Sequence, residues 1–211
     1  MKLQWLGHSC FRITLSNGRM IVTDPYDDTV GYPPLSVAAD LVLSSHGHFD
    51  HNYFDAVRGD FEIINQPGEY ERFGACILGV HSFHDDARGK KRGENVIFSV
   101  EADGVRLVHL GDLGHMPDTP EQEAAIRGAD VLLIPIGGTY TITTPEAVTL
   151  IEQYRPRCTI AMHYKNRWCG FPVTDNAEFI RRTHAKVLDN PIDLANGLPE
   201  GCFVMEYHHA D

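Results

Sequence analysis

Ser44-Ser45-His46-Gly47-His48-Phe49-Asp50-His51 decides the reading of this chain. It packs four potential metal ligands, His46, His48, Asp50 and His51, into six residues. They come directly behind Asp40-Leu41-Val42-Leu43, an apolar run that suits a short strand buried on both faces. Alternate positions of an extended chain point the same way, so the spacing predicts that His46, His48 and Asp50 share one side. Gly47 permits a backbone turn that would strain other residues. A lone histidine here would most simply be a core or loop residue. Four ligand types together behind a buried strand point instead to metal. One ion can hardly use all four, whereas two can, with His46 and His48 on the first and Asp50 and His51 on the second.

Upstream, Cys10-Phe11-Arg12-Ile13-Thr14-Leu15, the Asn17-Gly18 turn signal and Met20-Ile21-Val22 predict a β-hairpin. Downstream, strands are expected at Phe61 to Asn65, Ala75 to His81, Asn95 to Val100 and Val105 to His109. After Asp112 the rhythm becomes β/α. Thr119-Pro120-Glu121 and Thr144-Pro145-Glu146 open helices with a cap, a first-turn proline and a favourable acidic charge. Strands at Val131 to Ile134 and Cys158 to Met162, a helix from Asp175 to His184 and a closing strand from Cys202 to Tyr207 complete the pattern. Strands needing cover on two faces, with helices between them, predict an α+β fold of stacked sheets sandwiched by helices. With no repeat and no linker, residues 1–211 read as one domain.

Composition narrows the function. The 211 residues carry 18 Lys plus Arg against 29 Asp plus Glu, a formal charge of −11, with 43% hydrophobic residues and 12 histidines. Such a balance speaks against extended nucleic-acid binding, which needs cations to neutralise phosphates. No apolar run reaches the roughly 18 residues of a membrane span, and Met1 opens directly into Leu3-Gln4-Trp5-Leu6 rather than a signal segment. The five cysteines are scattered and none forms Cys-x-x-Cys, which suits a reducing cytoplasm better than a disulfide framework or a zinc ribbon. The expected partner is a small-molecule substrate, with no membrane involved.

His-x-His-x-Asp-His behind a buried strand resembles the signature of the metallo-β-lactamase superfamily, and the resemblance extends along nearly the whole chain. Thr23-Asp24-Pro25, Ser82-Phe83-His84, His109-Leu110-Gly111-Asp112 and Ala161-Met162-His163 match the superfamily's remaining motifs in order. Gly7-His8-Ser9-Cys10-Phe11, Lys91-Arg92-Gly93-Glu94-Asn95 and the Gly-Asp-Leu-Gly-His run at 111–115 are similar to a compact branch of Zn-dependent hydrolases related to L-ascorbate-6-phosphate lactonase. The resemblance implies a four-layer αββα sandwich. It also implies a dinuclear site: His46, His48 and His84 on one ion, Asp50, His51 and His163 on the other, and Asp112 between them. His81 competes with His84 for the third position, and the family spacing favours His84. Where the family motif often carries glycine two positions after its last histidine, this chain has Tyr53, which bears on loop geometry rather than on ligand count.

Imidazole and carboxylate donors without thiolate favour two Zn²⁺ ions, with Mn²⁺ or Fe as alternatives. Two such ions balanced by Asp50, Asp112 and one hydroxide leave a net positive charge, suiting an anionic substrate. The expected activity is metal-dependent hydrolysis, in which a bridging hydroxide attacks an ester or lactone. Phosphodiester cleavage and a non-catalytic metal-binding or regulatory role are the alternatives. Asp50 and Asp112 are the expected catalytic carboxylates; Asp24 could simply start the Asp-Pro turn, but the resemblance implies that it orients the ligand loop. His8, His109, Tyr140 and Lys165 are candidate proton donors or substrate contacts. His184, His208 and His209 read as solvated surface residues, Asp85-Asp86 with Lys90-Lys91-Arg92 as a mobile solvated loop with a substrate-gating role as the alternative, and Gly137-Gly138-Thr139-Tyr140 as a weak candidate anion cradle.

Overall fold

In the computed structural model, residues 1–208 are described; His209 lies outside the described residues. Alternation within the apolar strands sets the architecture. Leu41 and Leu43 pack into one buried cluster with Leu3, Trp5, Phe11, Ile13 and Ile21, while their neighbours Val22 and Val42 pack into a second. A strand that feeds two cores on opposite faces must be covered on both, as the sequence predicts.

Two sheets result. The first runs, edge to edge, Ile192–Asp193, Lys2–Gly7, Cys10–Thr14, Met20–Thr23, Leu41–Leu43 and Glu62–Ile64. The second runs Lys186–Leu188, Gly201–Met205, Cys158–Met162, Val131–Pro135, Val105–His109, Glu94–Ala102, Ala75–Phe83 and Gly68–Arg72. The predicted hairpin turn forms, with Gly18 at φ 85° and the Leu15 amide donating to the Arg19 carbonyl at 2.8 Å. Helix α1 (Pro120–Ile126), α2 (Thr144–Tyr154) and α3 (Ala177–Thr183) cover the second sheet and contribute Ala125, Ala147, Leu150 and Phe179 to its core. Over the first sheet the outer layer is reduced to the 3-10 turns Asp28–Val30 and Phe54–Ala56 and a two-stranded ladder, Val37–Ala38 with Val57–Arg58. The fold is an αββα sandwich with one thin outer layer.

The strands that sequence reasoning passed over are mostly edges. Gly68–Arg72 and Lys186–Leu188 flank the second sheet, and Ile192–Asp193 flanks the first. Edge strands bury little, so they lack the apolar signal that betrays central ones. The parallel strands position the functional residues. Met20–Thr23 and Leu41–Leu43 run parallel in one sheet, and Val105–His109, Val131–Pro135 and Cys158–Met162 in the other. Their carboxyl ends lie together, and Asp24, His46, Asp112 and His163 all follow directly from those ends.

Candidate metal centre

The candidate ligand loop is not extended. Residues 44–51 form bends and a turn, in which the His51 amide donates to the His48 carbonyl at 2.9 Å. This corrects the expectation that His46, His48 and Asp50 share a side: Asp50 turns away to join a different group. Asp24, itself left-handed at φ 42°, pins the loop. Its Oδ1 accepts from the Ser45 amide at 2.7 Å, and its Oδ2 accepts from the Ser45 hydroxyl at 2.7 Å. The same Oδ2 lies 2.8 Å from His51 Nδ1, so the ring turns Nε2 toward the cluster. Ser45 Oγ also meets His46 Nδ1 at 3.0 Å, leaving His46 Nε2 facing inward. Tyr53 sits at φ −79°, a conformation that does not call for glycine.

Side chains distant in sequence converge here. His46, His48 and His84 bring one ligand atom each within 4.8 Å of one another, as do His8, Asp50, His51 and His163. His46, His51 and Asp112 make a third such group that joins the two. Asp112 Oδ2 lies 3.2 Å from His84 Nε2 on one side, and 3.3 Å from His51 Nε2 and 3.2 Å from His163 Nε2 on the other. His81 stands apart, its Nε2 3.5 Å from Glu94, so His84 rather than His81 belongs to the cluster.

A glycine makes Asp112 reachable. At Gly111 (φ 56°) a Cβ would fall 2.3 Å from Asn95 Oδ1 and 2.6 Å from Ser45 Cβ, so only glycine lets this strand end meet the ligand loop. Asn95 Oδ1 then accepts the Asp112 amide at 2.9 Å.

The donor set fits divalent cations. Buried atoms left without an aligned hydrogen bond include His46 Nε2, His51 Nε2, His84 Nδ1, both ring nitrogens of His163 and Asp112 Oδ1. One carboxylate oxygen has two lone pairs and cannot accept from three imidazoles at once. Such crowding is costly unless a cation takes up the free lone pairs. Burial opposes charge on Asp112, yet His163 and His51 hold its carboxyl well below the usual range. Asp50 is likewise lowered despite burial, first by His51 and then by His8. Burial, then His51, push His46 well below the usual histidine value. The same carboxylates push His51 and His84 up despite burial, so a bound cation would take the place of their protons, because ionised carboxylates and deprotonated imidazoles are the forms that bind metal.

A cavity of about 280 Å³ opens on the cluster, lined by His48, Phe49, Asp50, His84, Arg92, Asp112, Tyr140 and Phe171. Of the four candidate proton donors or substrate contacts, Tyr140 alone lines it. His109 spends both ring nitrogens on the fold: Nε2 lies 2.8 Å from the Ser9 carbonyl, and Nδ1 accepts from the Gly111 amide at 3.0 Å. Lys165 donates to the Phe171 carbonyl at 3.1 Å, supporting a wall rather than facing the cavity. His8 is buried behind Asp50, with Nε2 3.1 Å from Asp50 Oδ2; burial and then His163 push it down to about 4.

Two further expectations change. Gly137 is not part of an anion cradle; a Cβ there would fall 2.3 Å from the His163 carbonyl, and the α2 N-terminus is already capped by Thr143 and Glu146. Asp85 is buried rather than solvated, and it accepts backbone amides from Ala87, Gly89, Lys91 and Arg92 at 2.7–3.0 Å. Sequence reasoning missed Arg92 and Phe171 as cavity walls, since neither carries a spacing signal.

A family model of the β-lactamase superfamily domain matches residues 2–163, and the chain belongs to this superfamily. It is 32% identical over 194 residues to a metal-dependent hydrolase of Methanoregula boonei, covering 80% of this chain and 83% of that protein. A Thermotoga maritima protein of the metallo-β-lactamase superfamily, assigned as a Zn-dependent hydrolase, superposes with a TM-score of 0.81 at 37% identity, over 98% of this chain and 99% of its own. A metallo hydrolase of Ignicoccus hospitalis shares the fold, with a TM-score of 0.67 at 22% identity over 98% and 94%.

Proposed function

We propose that the chain is a metal-dependent hydrolase that cleaves an ester or lactone of a small anionic molecule, with two divalent cations, Zn²⁺ by donor chemistry. The observation that carries this reading is the ring of buried, unaligned imidazole nitrogens around the Asp112 carboxylate, at the floor of a cavity. His46, His48 and His84 would hold one ion, Asp50, His51 and His163 the other, and Asp112 both. The ions, when bound, supply Lewis acidity: they make water a stronger acid near neutral pH and polarise a carbonyl.

The chain's own residues do the rest. Asp24 fixes the His51 ring, and His8 braces the Asp50 carboxylate so that it presents to the cavity and orients the attacking water. Phe49, Tyr140 and Phe171 wall the cavity and exclude bulk solvent from the reacting carbonyl. Tyr140, the one candidate proton donor that lines the cavity, would give a proton to the leaving alkoxide. We further infer one domain that works in a reducing cytoplasm.

The test is metal analysis of purified protein by mass spectrometry, with a panel of lactones and carboxylic esters alongside bis-p-nitrophenyl phosphate. Two ions per chain and ester or lactone turnover are expected. Turnover of the phosphate diester alone would replace the ester reading with phosphodiester cleavage, and two bound ions without any turnover would favour a regulatory role.

A further inference from the structure

The loop that carries His84 also carries an unpaired guanidinium. Beyond His84, the chain turns around the buried Asp85 carboxylate, whose Oδ1 accepts from Ala87 and Gly89 and whose Oδ2 accepts from Lys91 and Arg92. The Gly93 carbonyl returns to accept the His84 amide at 3.1 Å. Residues 84–93 therefore form a closed, internally bonded loop, and His84 and Arg92, near its two ends, both line the cavity. Its other cations are engaged or remote: Lys91 pairs with Asp86 at 2.6 Å, Arg88 reaches Asp118 at 4.0 Å, and Lys90 is exposed away from the cavity lining.

Arg92 differs. Among the described residues it has no carboxylate partner. One nitrogen, Nη2, donates to the Thr139 carbonyl at 3.1 Å, and the guanidinium carbon lies 5.4 Å from the centre of the Tyr140 ring. It is the sole Lys or Arg among the residues lining the 280 Å³ cavity. A guanidinium carries five donors in a planar fork suited to a carboxylate or phosphate. The Tyr140 ring and the Thr139 bond hold the guanidinium at the cavity wall, so less freedom is lost when an anion binds. Aromatic side chains, Phe49, Tyr140 and Phe171, make up the rest of the wall apart from the candidate ligands, and Phe49 is 51% exposed at the rim.

Resting on the hydrolase reading, we propose that Arg92 is the specificity-determining residue of this site: it binds a second, non-reacting oxyanion of the substrate. The substrate class is then a small ester or lactone that bears a carboxylate or phosphate in addition to the scissile carbonyl, with a flat apolar portion against the aromatic wall. Asp85, which accepts the Lys91 and Arg92 amides, holds the loop that carries this guanidinium.

The test compares metal-loaded wild-type protein with Arg92→Ala in two measurements. Binding of benzoate and of phenylphosphonate is measured by titration calorimetry with metal content monitored in parallel, and turnover of phenyl acetate is compared with that of 4-carboxyphenyl acetate. Wild-type protein is expected to bind at least one of the two anions, and R92A to bind it about ten-fold or more weakly with its metal content retained. The kcat/KM ratio of charged to neutral ester is expected to fall by a similar factor, through KM. Whichever anion binds more tightly names the group. Equal anion affinity in both proteins, or no anion binding to the wild type, would overturn the proposal even if esters are turned over. Arg92-dependent anion binding without turnover of either ester would sink the ester reading while leaving the anion site standing.

Discussion

The two ends of the sandwich are built on opposite principles. At the end far from the cavity, polar groups are paired off. Asp103 receives the Ser16 amide and hydroxyl at 2.8 and 2.6 Å and lies 3.0 Å from the amino terminus, so it ties the first sheet to the second. Asp130 takes the Arg106 amide at 3.0 Å, and the Arg106 guanidinium donates to three carbonyls at the end of α1 and just beyond it. At the cavity end, buried polar groups accumulate without aligned partners; of all such atoms among the described residues, only the Thr159 hydroxyl lies elsewhere. His8, Asp24, Gly111 and His163 all adopt positive φ there. Polar groups are paired at one end and lack aligned partners at the other, the division expected where stability is given up for a site.

The sharpest way to break this contrast is to remove ligands at the cavity end. Asp112→Ala should abolish metal loading and ester turnover together, and His48→Ala should lose at least one ion, whereas His81→Ala should keep both ions; mass spectrometry of bound metal and initial rates decide. An Asp112→Ala protein still fully metallated and active would mean that the cluster is not the metal site. Chelation of the wild-type protein should lower its melting temperature and accelerate amide exchange at residues 44–51 before residues 100–106, since stabilisation by a bound ion vanishes with it.

Next in size is a glycine pair. Gly111→Ala should cost about 3 kcal/mol, because the new methyl meets Asn95 and Ser45 in an already left-handed backbone. Gly104→Ala, at φ 74° in the far-end turn with open space around it, should cost only about 1 kcal/mol of backbone strain. Urea denaturation would resolve the two, and equal losses would refute the close-approach argument.

The smallest effect belongs to Asp103. Ser16 and then the amino terminus hold its carboxyl below the ordinary value, so the unfolded chain takes up this proton more readily than the folded one. Its contribution is thus fully present above about pH 4 and is lost as pH falls through the lower folded value. Asp103→Asn should cost about 1 kcal/mol at neutral pH, less in high salt, and should flatten the stability profile below pH 4. An unchanged acid profile would show that this tie contributes nothing.

The sequence made the two ends unequally legible. Density exposed the His46-to-His51 quartet, and apolar alternation exposed the central strands. Asp24, Asp112 and His163 are single residues behind strand ends, visible only through family resemblance, because what unites them is parallel strand register rather than spacing. The period-two argument for His46, His48 and Asp50 failed because Asp24 folds that segment into a turn. The loop at 85–92 read as solvent-exposed from its charges, yet Asp85 serves as its internal hub. The run Lys90-Lys91-Arg92 admitted a substrate-gating role, but Arg92 could not be singled out, since nothing in the sequence says which of several neighbouring cations lacks a partner.

His163 offers its amide to the His8 carbonyl at 3.2 Å, and their rings lie 4.2 Å apart. One residue ends a strand of the first sheet and the other a strand of the second, so the proposed ions would sit astride the seam like a rivet. Loss of the ions would leave each β-ladder whole and would leave the seam at this rim to its direct bonds, the His163 amide to the His8 carbonyl and His109 Nε2 to the Ser9 carbonyl.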